Sequence, residues 1–287
     1  MDRSYLDIWK EHQREQIEGY VYQFIDQFIE RHTGKLLPPD SHFTGTEQVL
    51  DIACGYGEWA CSLARTYPDC TVTGCDKNVK YIAYARERAG LAGLTNVHFT
   101  VSNMYALPPL TDTINRSQRS VETGYDLVHA RLLSPAVIPG TWYYLLKELW
   151  QHCKPGGQFV WTETSRLATD RPACVRWCHL FGQALGIPSH AGDVIAHMSV
   201  MLKDAGFDHI RPSTTTIHLC HGTPAYNILA NMLWRTSPLL QTFFVQAGVA
   251  SAHHYSHITE EMLVELVDHH FTCDWSLHTI TAQRPAT

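Results

Sequence analysis

No stretch of this chain approaches the ~20 consecutive apolar residues of a membrane-spanning helix, and Met1 through Lys10 is charged and amphipathic without the apolar centre of a secretion signal. A cytoplasmic chain with no membrane partner is the expectation. Lysine and arginine number only 22 of 287 residues, form no runs and leave a net charge of −6. A phosphate-tracking groove would therefore lack its electrostatic footprint, and nucleic acid is not an expected partner. Charged residues are 17% against 45% hydrophobic, which excludes a disordered chain. Cys-x-x-Cys spacing is missing as well, so the nine cysteines form neither a disulfide scaffold nor a zinc or redox motif and read as reduced, mostly buried thiols. Internal repeats and low-complexity segments are also absent from the sequence.

What is present is an alternation of short apolar runs with helical periodicity. Residues 4 to 33 read as a helix, because Ile17, Tyr20, Val21, Phe24, Ile25, Phe28 and Ile29 recur at three- and four-residue spacing, and Gly34, Pro38 and Pro39 end it. Strands are then expected at Gln48 to Ala53, Thr71 to Cys75, Val97 to Val101, Tyr125 to Ala130 and Gln158 to Glu163. Helices fall between them at Trp59 to Arg65, Asn78 to Leu91 and Trp142 to Cys153. Such alternation implies right-handed crossovers and a mostly parallel sheet. Thr111 to Gly124 is polar and aperiodic and reads as a surface loop, and Lys154-Pro155-Gly156-Gly157 as a turn. Beyond residue 170 the chain turns mainly helical, with strands from His209 to Leu219 and Cys273 to Gln283 separated by two helical stretches within 224 to 271.

The strongest chemical signal is Val49-Leu50-Asp51-Ile52-Ala53-Cys54-Gly55-Tyr56-Gly57, which joins a buried strand to a helix through glycines. Glycines let the backbone turn sharply and let a ligand approach the main chain without a Cβ in the way. Asp51, at the strand end, can accept a hydrogen bond from the turn or from a ligand ammonium. Asp76 ends the next strand, where a carboxylate can take both hydroxyls of a ribose; the competing role is to cap the helix beginning near Asn78. Both features coincide with strand ends, and that favours the ribose role.

With these residues in place, the chain resembles the class I S-adenosylmethionine-dependent methyltransferases. Five ordered motifs carry the resemblance: Asp51 to Gly57, Asp76, Ser102-Asn103-Met104, Tyr125-Asp126-Leu127-Val128 and Lys154-Pro155-Gly156-Gly157. Two positions depart from the pattern. Ala53 replaces the first glycine of the usual Gly-x-Gly-x-Gly, and Asn103 replaces an acidic residue, although its amide carbonyl can still accept from the adenine amine. The resemblance implies an α/β fold with a Rossmann-like, seven-stranded, mostly parallel sheet flanked by helices, an N-terminal helix and helical lid insertions. It also implies S-adenosylmethionine as cofactor, S-adenosylhomocysteine as product, and cofactor contacts from Tyr22, Asp51, Ala53, Gly55, Gly57, Asp76, Lys77, Asn103, Met104, Arg131 and Leu132.

The second half is similar, more loosely, to a subgroup acting on small secondary metabolites, through Asp126 to Leu132, Gly182 to Gly186, Asp204 to Phe207 and Thr259-Glu260-Glu261. On that basis residues 1–287 read as one methyltransferase domain. It comprises an N-terminal cap (1–45), a cofactor-binding core (46–165), lid segments (166–206 and 222–271) and the last strands (207–221 and 272–284). A monomer or homodimer is expected.

Methyl transfer from a sulfonium is an in-line displacement, so holding acceptor and methyl at ~3 to 3.5 Å supplies most of the rate. Tyr20, Tyr22 and Trp59 are available to the cationic sulfur. His129, which alternation places on the same side as Arg131 at the cleft edge, is the candidate base; it could equally pack beneath the cofactor and catalyse nothing. His190 and the His253-His254 pair are its rivals. Arg131 and Leu132 are candidates for the methionine end of the cofactor, with an internal salt bridge as the other role of the arginine. Tyr22 could close over the cofactor carboxylate or belong to the apolar helix face. Cys174, Cys178 and His179, or His253, His254 and His257, lack a full ligand set, so no metal is expected. Three functions compete: methyl transfer to a small, apolar or aromatic acceptor; a non-methylating cyclase on the same scaffold; and a nicotinamide dehydrogenase, which lacks its third glycine near Ala60.

Overall fold

A computed structural model describes residues 24–25, 27–31, 36–38, 43–107, 124–138, 140–184 and 191–286. Tyr20, Val21, Tyr22, His190 and nearly all of the loop expected from Thr111 to Gly124 lie outside the described residues. Of the helix expected over 4–33, residues 24–25 and 27–31 are described and helical, with Phe28 and Ile29 buried.

The elements follow the expected order. Strands are β1 (Gln48–Ile52), β2 (Thr71–Asp76), β3 (Val97–Val101), β4 (Tyr125–Arg131), β5 (Cys153–Thr164), β6 (Asp208–Cys220) and β7 (Thr272–Gln283). Helices are α1 (Glu58–Thr66), α2 (Val79–Leu91), α3 (Trp142–His152), α4 (Pro172–Ala184), α5 (Ala191–Ala205), α6 (Pro224–Gln246) and α7 (Ala252–Leu266). The strands form one seven-stranded sheet in the order β3-β2-β1-β4-β5-β7-β6. Strands β3, β2, β1, β4 and β5 are parallel, with Asp51 beside Gly74 on one side and His129 on the other. Strand β7 runs antiparallel to β5, since Arg284 bonds Gly156 and Gly157 while Ser276 bonds Ser165.

Two compact units divide the chain. One holds the described residues within 21–163, 195–213 and 278–287, the other those within 164–194 and 214–277. In the first, β1, β2 and β4 are almost wholly buried because helices cover both faces of a parallel sheet. Trp59, Ala60 and Leu63 of α1 and Ile82, Ala85 and Ala89 of α2 pack with Val49, Val72, Phe99 and Leu127. Phe207 stacks on Phe159 and Trp142 on Trp161.

The turn expected at Lys154–Gly157 is absorbed into β5 instead. Between the pairs Tyr125↔Cys153 and Leu127↔Gln158 the register shifts, so these residues bulge out against Asp126, with Gly156 at φ 79. Asp126 accepts from Gln48 N (2.8 Å) and pairs with Lys154 Nζ (2.7 Å), tying together the amino ends of β1, β4 and β5. Two of the five motifs are therefore fasteners at the end of the sheet opposite the glycine turn.

The second unit is built on helices α4, α6 and α7. Trp177, Phe181, Phe244 and Tyr255 stack through its centre. The Glu265 carboxylate accepts from the backbone N–H groups of Ala173 and Cys174 at 3.0 and 2.9 Å, satisfying donors that the first turn of α4 leaves open. All nine cysteines are free thiols, seven of them buried. Among the described residues no helix is long and apolar enough to cross a membrane.

Candidate functional site

The strand order reverses between β1 and β4, and in open parallel sheets ligands bind beyond the carboxyl ends of the strands at such a switch point. The residues that follow those ends all belong to one unit: Ala53–Gly57 after β1, Asp76 closing β2, Asn103 and Met104 after β3, and Arg131 and Leu132 after β4.

The turn after β1 holds three left-handed residues, Ala53 (φ 52), Gly55 (φ 54) and Gly57 (φ 71). Left-handed backbone costs a residue with a Cβ about 1 kcal/mol or more, so Ala53 stores strain. Two hydrogen bonds hold it: Cys54 N donates to Cys75 O, and Gly57 N to Cys54 O, both at 2.9 Å. The glycines serve different ends. A Cβ at Gly57 would sit 2.6 Å from the Phe99 ring, which wedges beneath the turn and would lie equally close to a Cβ at Gly74. A Cβ at Gly55 would meet nothing within 4 Å, leaving bare main chain beside open space.

Asp76 reaches back to this turn. Its Oδ2 accepts from Gly55 N (3.1 Å) and its Oδ1 from Asn78 N (2.8 Å). Asn78, not Asp76, caps α2, its amide oxygen accepting from Lys80 and Tyr81. Burial raises the Asp76 carboxyl above its ordinary value, against the two backbone donors and Lys77, which lower it; the Asp51 charge adds to the rise. Each oxygen keeps acceptor capacity beyond its one backbone bond. Lys77 itself is exposed. Asn103 is exposed, and its Oδ1 accepts from Tyr105 N (3.1 Å), while Met104 is buried.

His129 departs from its expected place at the cleft edge. It is 3% exposed, lies flat on the Trp59 indole (3.5 Å between centroids, 9° between planes) and brings Nδ1 within 2.8 Å of Asp51 Oδ1. Burial lowers its pKa, outweighing the Asp51 hydrogen bond and charge, which raise it. The ring is therefore neutral near pH 7, and since a carboxylate only accepts, Nδ1 carries the proton. Trp59 is likewise withdrawn from any cationic sulfur, buried between this imidazole and Leu36, whose carbonyl its Nε1 reaches at 2.8 Å. His253 and His254 lie exposed at the start of α7, where His253 lines an open groove of about 620 Å³ with Arg176, His257 and Glu261.

Sequence reasoning passed over Glu163. It closes β5 at the same edge, is 3% exposed, and accepts from Trp161 Nε1 (2.8 Å) and Ser134 N (3.1 Å). An acidic residue ending the apolar run Phe159-Val160-Trp161 was the available signal.

Comparison with known proteins agrees with this geometry. Residues 49–157 match the family model described as a methyltransferase domain. The chain is 31% identical over 110 residues to trans-aconitate 2-methyltransferase of Deinococcus radiodurans, covering 38% of this chain and 35% of that protein. It is 28% identical over 120 residues to demethylmenaquinone methyltransferase of Bacillus cytotoxicus, covering 42% and 45%. The chain thus aligns with less than half the length of either relative. Among solved structures, the 4+2 cyclase SpnF shares the fold with a TM-score of 0.52 at 16% identity, over 94% of this chain and 96% of that one. Methyltransferase domains of this class take S-adenosylmethionine, and the residues present fit it: open space over Gly55, a strained turn beside it, and a carboxylate with spare acceptor capacity at the end of β2. Residues 49–157 thus match a methyltransferase domain, on a sheet whose strand order is Rossmann-like.

Proposed function

We propose that this chain transfers a methyl group from S-adenosylmethionine to a small-molecule acceptor. The observation that carries this is the Ala53–Gly57 turn, whose bare Gly55 is bonded to Asp76 at the switch point of the sheet. When bound, the cofactor supplies a methyl already activated on a sulfonium. In this reading Asp76 receives the ribose hydroxyls, Lys77 and Met104 border the adenosine, and Asn103 offers its amide to the adenine. Gly55 admits the cofactor to the main chain, Ala53 and Gly57 shape the turn that presents it, and Asp51, Arg131 and Leu132 hold the amino-acid end. Tyr22 is the proposed closing residue over the carboxylate.

His129 takes a different part from the base considered above. Buried and neutral, it fixes one oxygen of Asp51 and leaves the other for an ammonium, so it is a positioning residue. The net charge of −6 and the absence of basic runs support a small acceptor rather than a nucleic acid; a cytoplasmic monomer or homodimer is part of the same proposal.

Titration of the protein with S-adenosylmethionine and with NADH tests the cofactor. Micromolar binding of the first and none of the second is expected, and the reverse preference would reject the reading. Asp76→Ala should lose two charge-assisted hydrogen bonds of about 1.5 to 3 kcal/mol each, with folding intact by circular dichroism. Equal affinity in that variant would place the ribose elsewhere. The similarity to SpnF over nearly the whole of both chains supports a second reading, a cyclase that binds the cofactor without spending it. S-adenosylhomocysteine formed in step with product favours transfer; product without it favours cyclisation.

A further inference from the structure

The β4 strand does not end cleanly at the proposed site. Leu132, the next residue, is left-handed at φ 57, a conformation that a leucine holds only where its surroundings impose it. Two bonds from the end of β5 impose it: Leu132 N donates to Thr162 O (2.9 Å), and Ser134 N donates to Glu163 Oε1 (3.1 Å). The same oxygen accepts from the indole of Trp161, which is fully buried and packed on Trp142. Glu163 thus joins a rigid aromatic stack to the strained turn.

Pleat alternation separates Glu163 from the charges of the cofactor crevice. Arg131 pairs with Thr162 and His129 with Val160, so Arg131 lies on the face opposite Glu163, and the Asp51–His129 pair sits with it against α1. From β7, the register that places Thr279 beside Thr162 puts His278 across from Glu163, and burial lowers that histidine's pKa. On α3, Glu148 is engaged by Leu107 N, Lys147 lies over the rings of Tyr143 and Trp150, and His152 bonds the Glu148 carbonyl.

We propose that Glu163 is a positioning residue for the cofactor site, its ionised carboxylate holding the Leu132–Ser134 turn in the shape that places Arg131 and Leu132. This rests on the methyltransferase reading above. Burial pushes the Glu163 carboxyl up to about 7, despite hydrogen bonds from Trp161, Ser134 and Leu133. Protonation replaces charge-assisted bonds by neutral ones of roughly half the strength, so the turn loosens as pH falls through neutrality.

Calorimetric titration of the full chain with S-adenosylhomocysteine at about pH 6 and about pH 8 tests this. If the ionised form is the competent one, apparent affinity scales with its population, which rises about tenfold over that range. Wild type should bind about tenfold tighter at the higher pH. Glu163→Gln keeps an acceptor oxygen without the charge, and should bind at the weaker level at both values; His278→Gln should keep the wild-type slope. A flat wild-type profile, or an undiminished slope in Glu163→Gln, overturns the proposal. A readout free of cofactor is the indole N–H resonance of Trp161, identified by its loss in Trp161→Phe. It should titrate near neutrality in wild type and stay fixed in Glu163→Gln. Binding with a resonance that does not titrate overturns the role of Glu163 alone. No binding at any pH, with the resonance still titrating, overturns the cofactor reading and the positioning role with it.

Discussion

Gly55 and Gly57 share a left-handed backbone and differ in what surrounds them, so alanine should have opposite kinds of effect at the two positions. At Gly57 a methyl would collide with the Phe99 ring 2.6 Å away and with Ala85, both in the packed core, so the cost combines backbone strain with overpacking, about 2 to 4 kcal/mol. At Gly55 the methyl meets only open space, and the cost to folding is the strain alone, about 1 kcal/mol. Thermal melts should therefore rank Gly57→Ala as much the less stable, while Gly55→Ala stays folded and loses cofactor binding by occupying the bare main chain. Equal melting points would mean that the wedge of Phe99 yields. His129 poses a related question of geometry against bulk. His129→Asn retains a donor near the Nδ1 position, so it should keep more cofactor affinity than His129→Leu, which restores apolar bulk against Trp59 but leaves Asp51 without its donor. If the two variants bind alike, His129 is core packing only.

At the scale of elements, the sheet was legible because short strand-like stretches alternate with segments of helical periodicity, and β1, β2 and β4 are buried on both faces, which leaves few other homes for such stretches. Alternation also put His129 and Arg131 on one face correctly. What it could not supply was depth: whether His129 meets solvent depends on Trp59, a residue of another element whose angle of approach no local pattern encodes. The Lys154–Gly157 turn was read from its proline and glycines, yet backbone hydrogen bonds exchanged with Arg284, more than a hundred residues away, draw it into the strand. Glu265 is a contact of the same long-range kind, an acceptor on α7 for the first amides of α4. Glu265→Ala should destabilise the helical unit by about 1 to 2 kcal/mol, the range for loss of a good N-terminal cap, and Glu265→Gln by less. Hydrogen exchange of the Ala173 and Cys174 amides checks this, since both should lose protection in the alanine variant and remain slow if the cap contributes nothing.

For the molecule as a whole, two buried titratable groups pull stability in opposite directions with pH. Burial lowers the folded-state pKa of His129, so the stability it contributes is present above its unfolded value of 6.5 and is lost as pH falls through the lower folded value. Burial raises that of Glu163 from 4.5 to about 7, so its contribution is full below 4.5 and is lost as pH rises through about 7. The second effect spans at most about 3 kcal/mol, a large part of a marginal fold's stability. Glu163→Gln removes the buried charge and keeps the acceptor oxygen, so its melting temperature should match wild type near pH 5 and exceed it increasingly up to about pH 8. The same variant should bind S-adenosylhomocysteine less tightly at the higher pH, because the charge that costs the fold stability is the one that tightens the Leu132–Ser134 turn. A carboxylate kept only for packing would give the first result without the second, whereas one set to hold a strained turn at a binding edge must give both. Melting curves and binding isotherms measured on one preparation across that pH range separate these outcomes. A variant at once more stable and equally tight-binding at about pH 8 would remove Glu163 from the site.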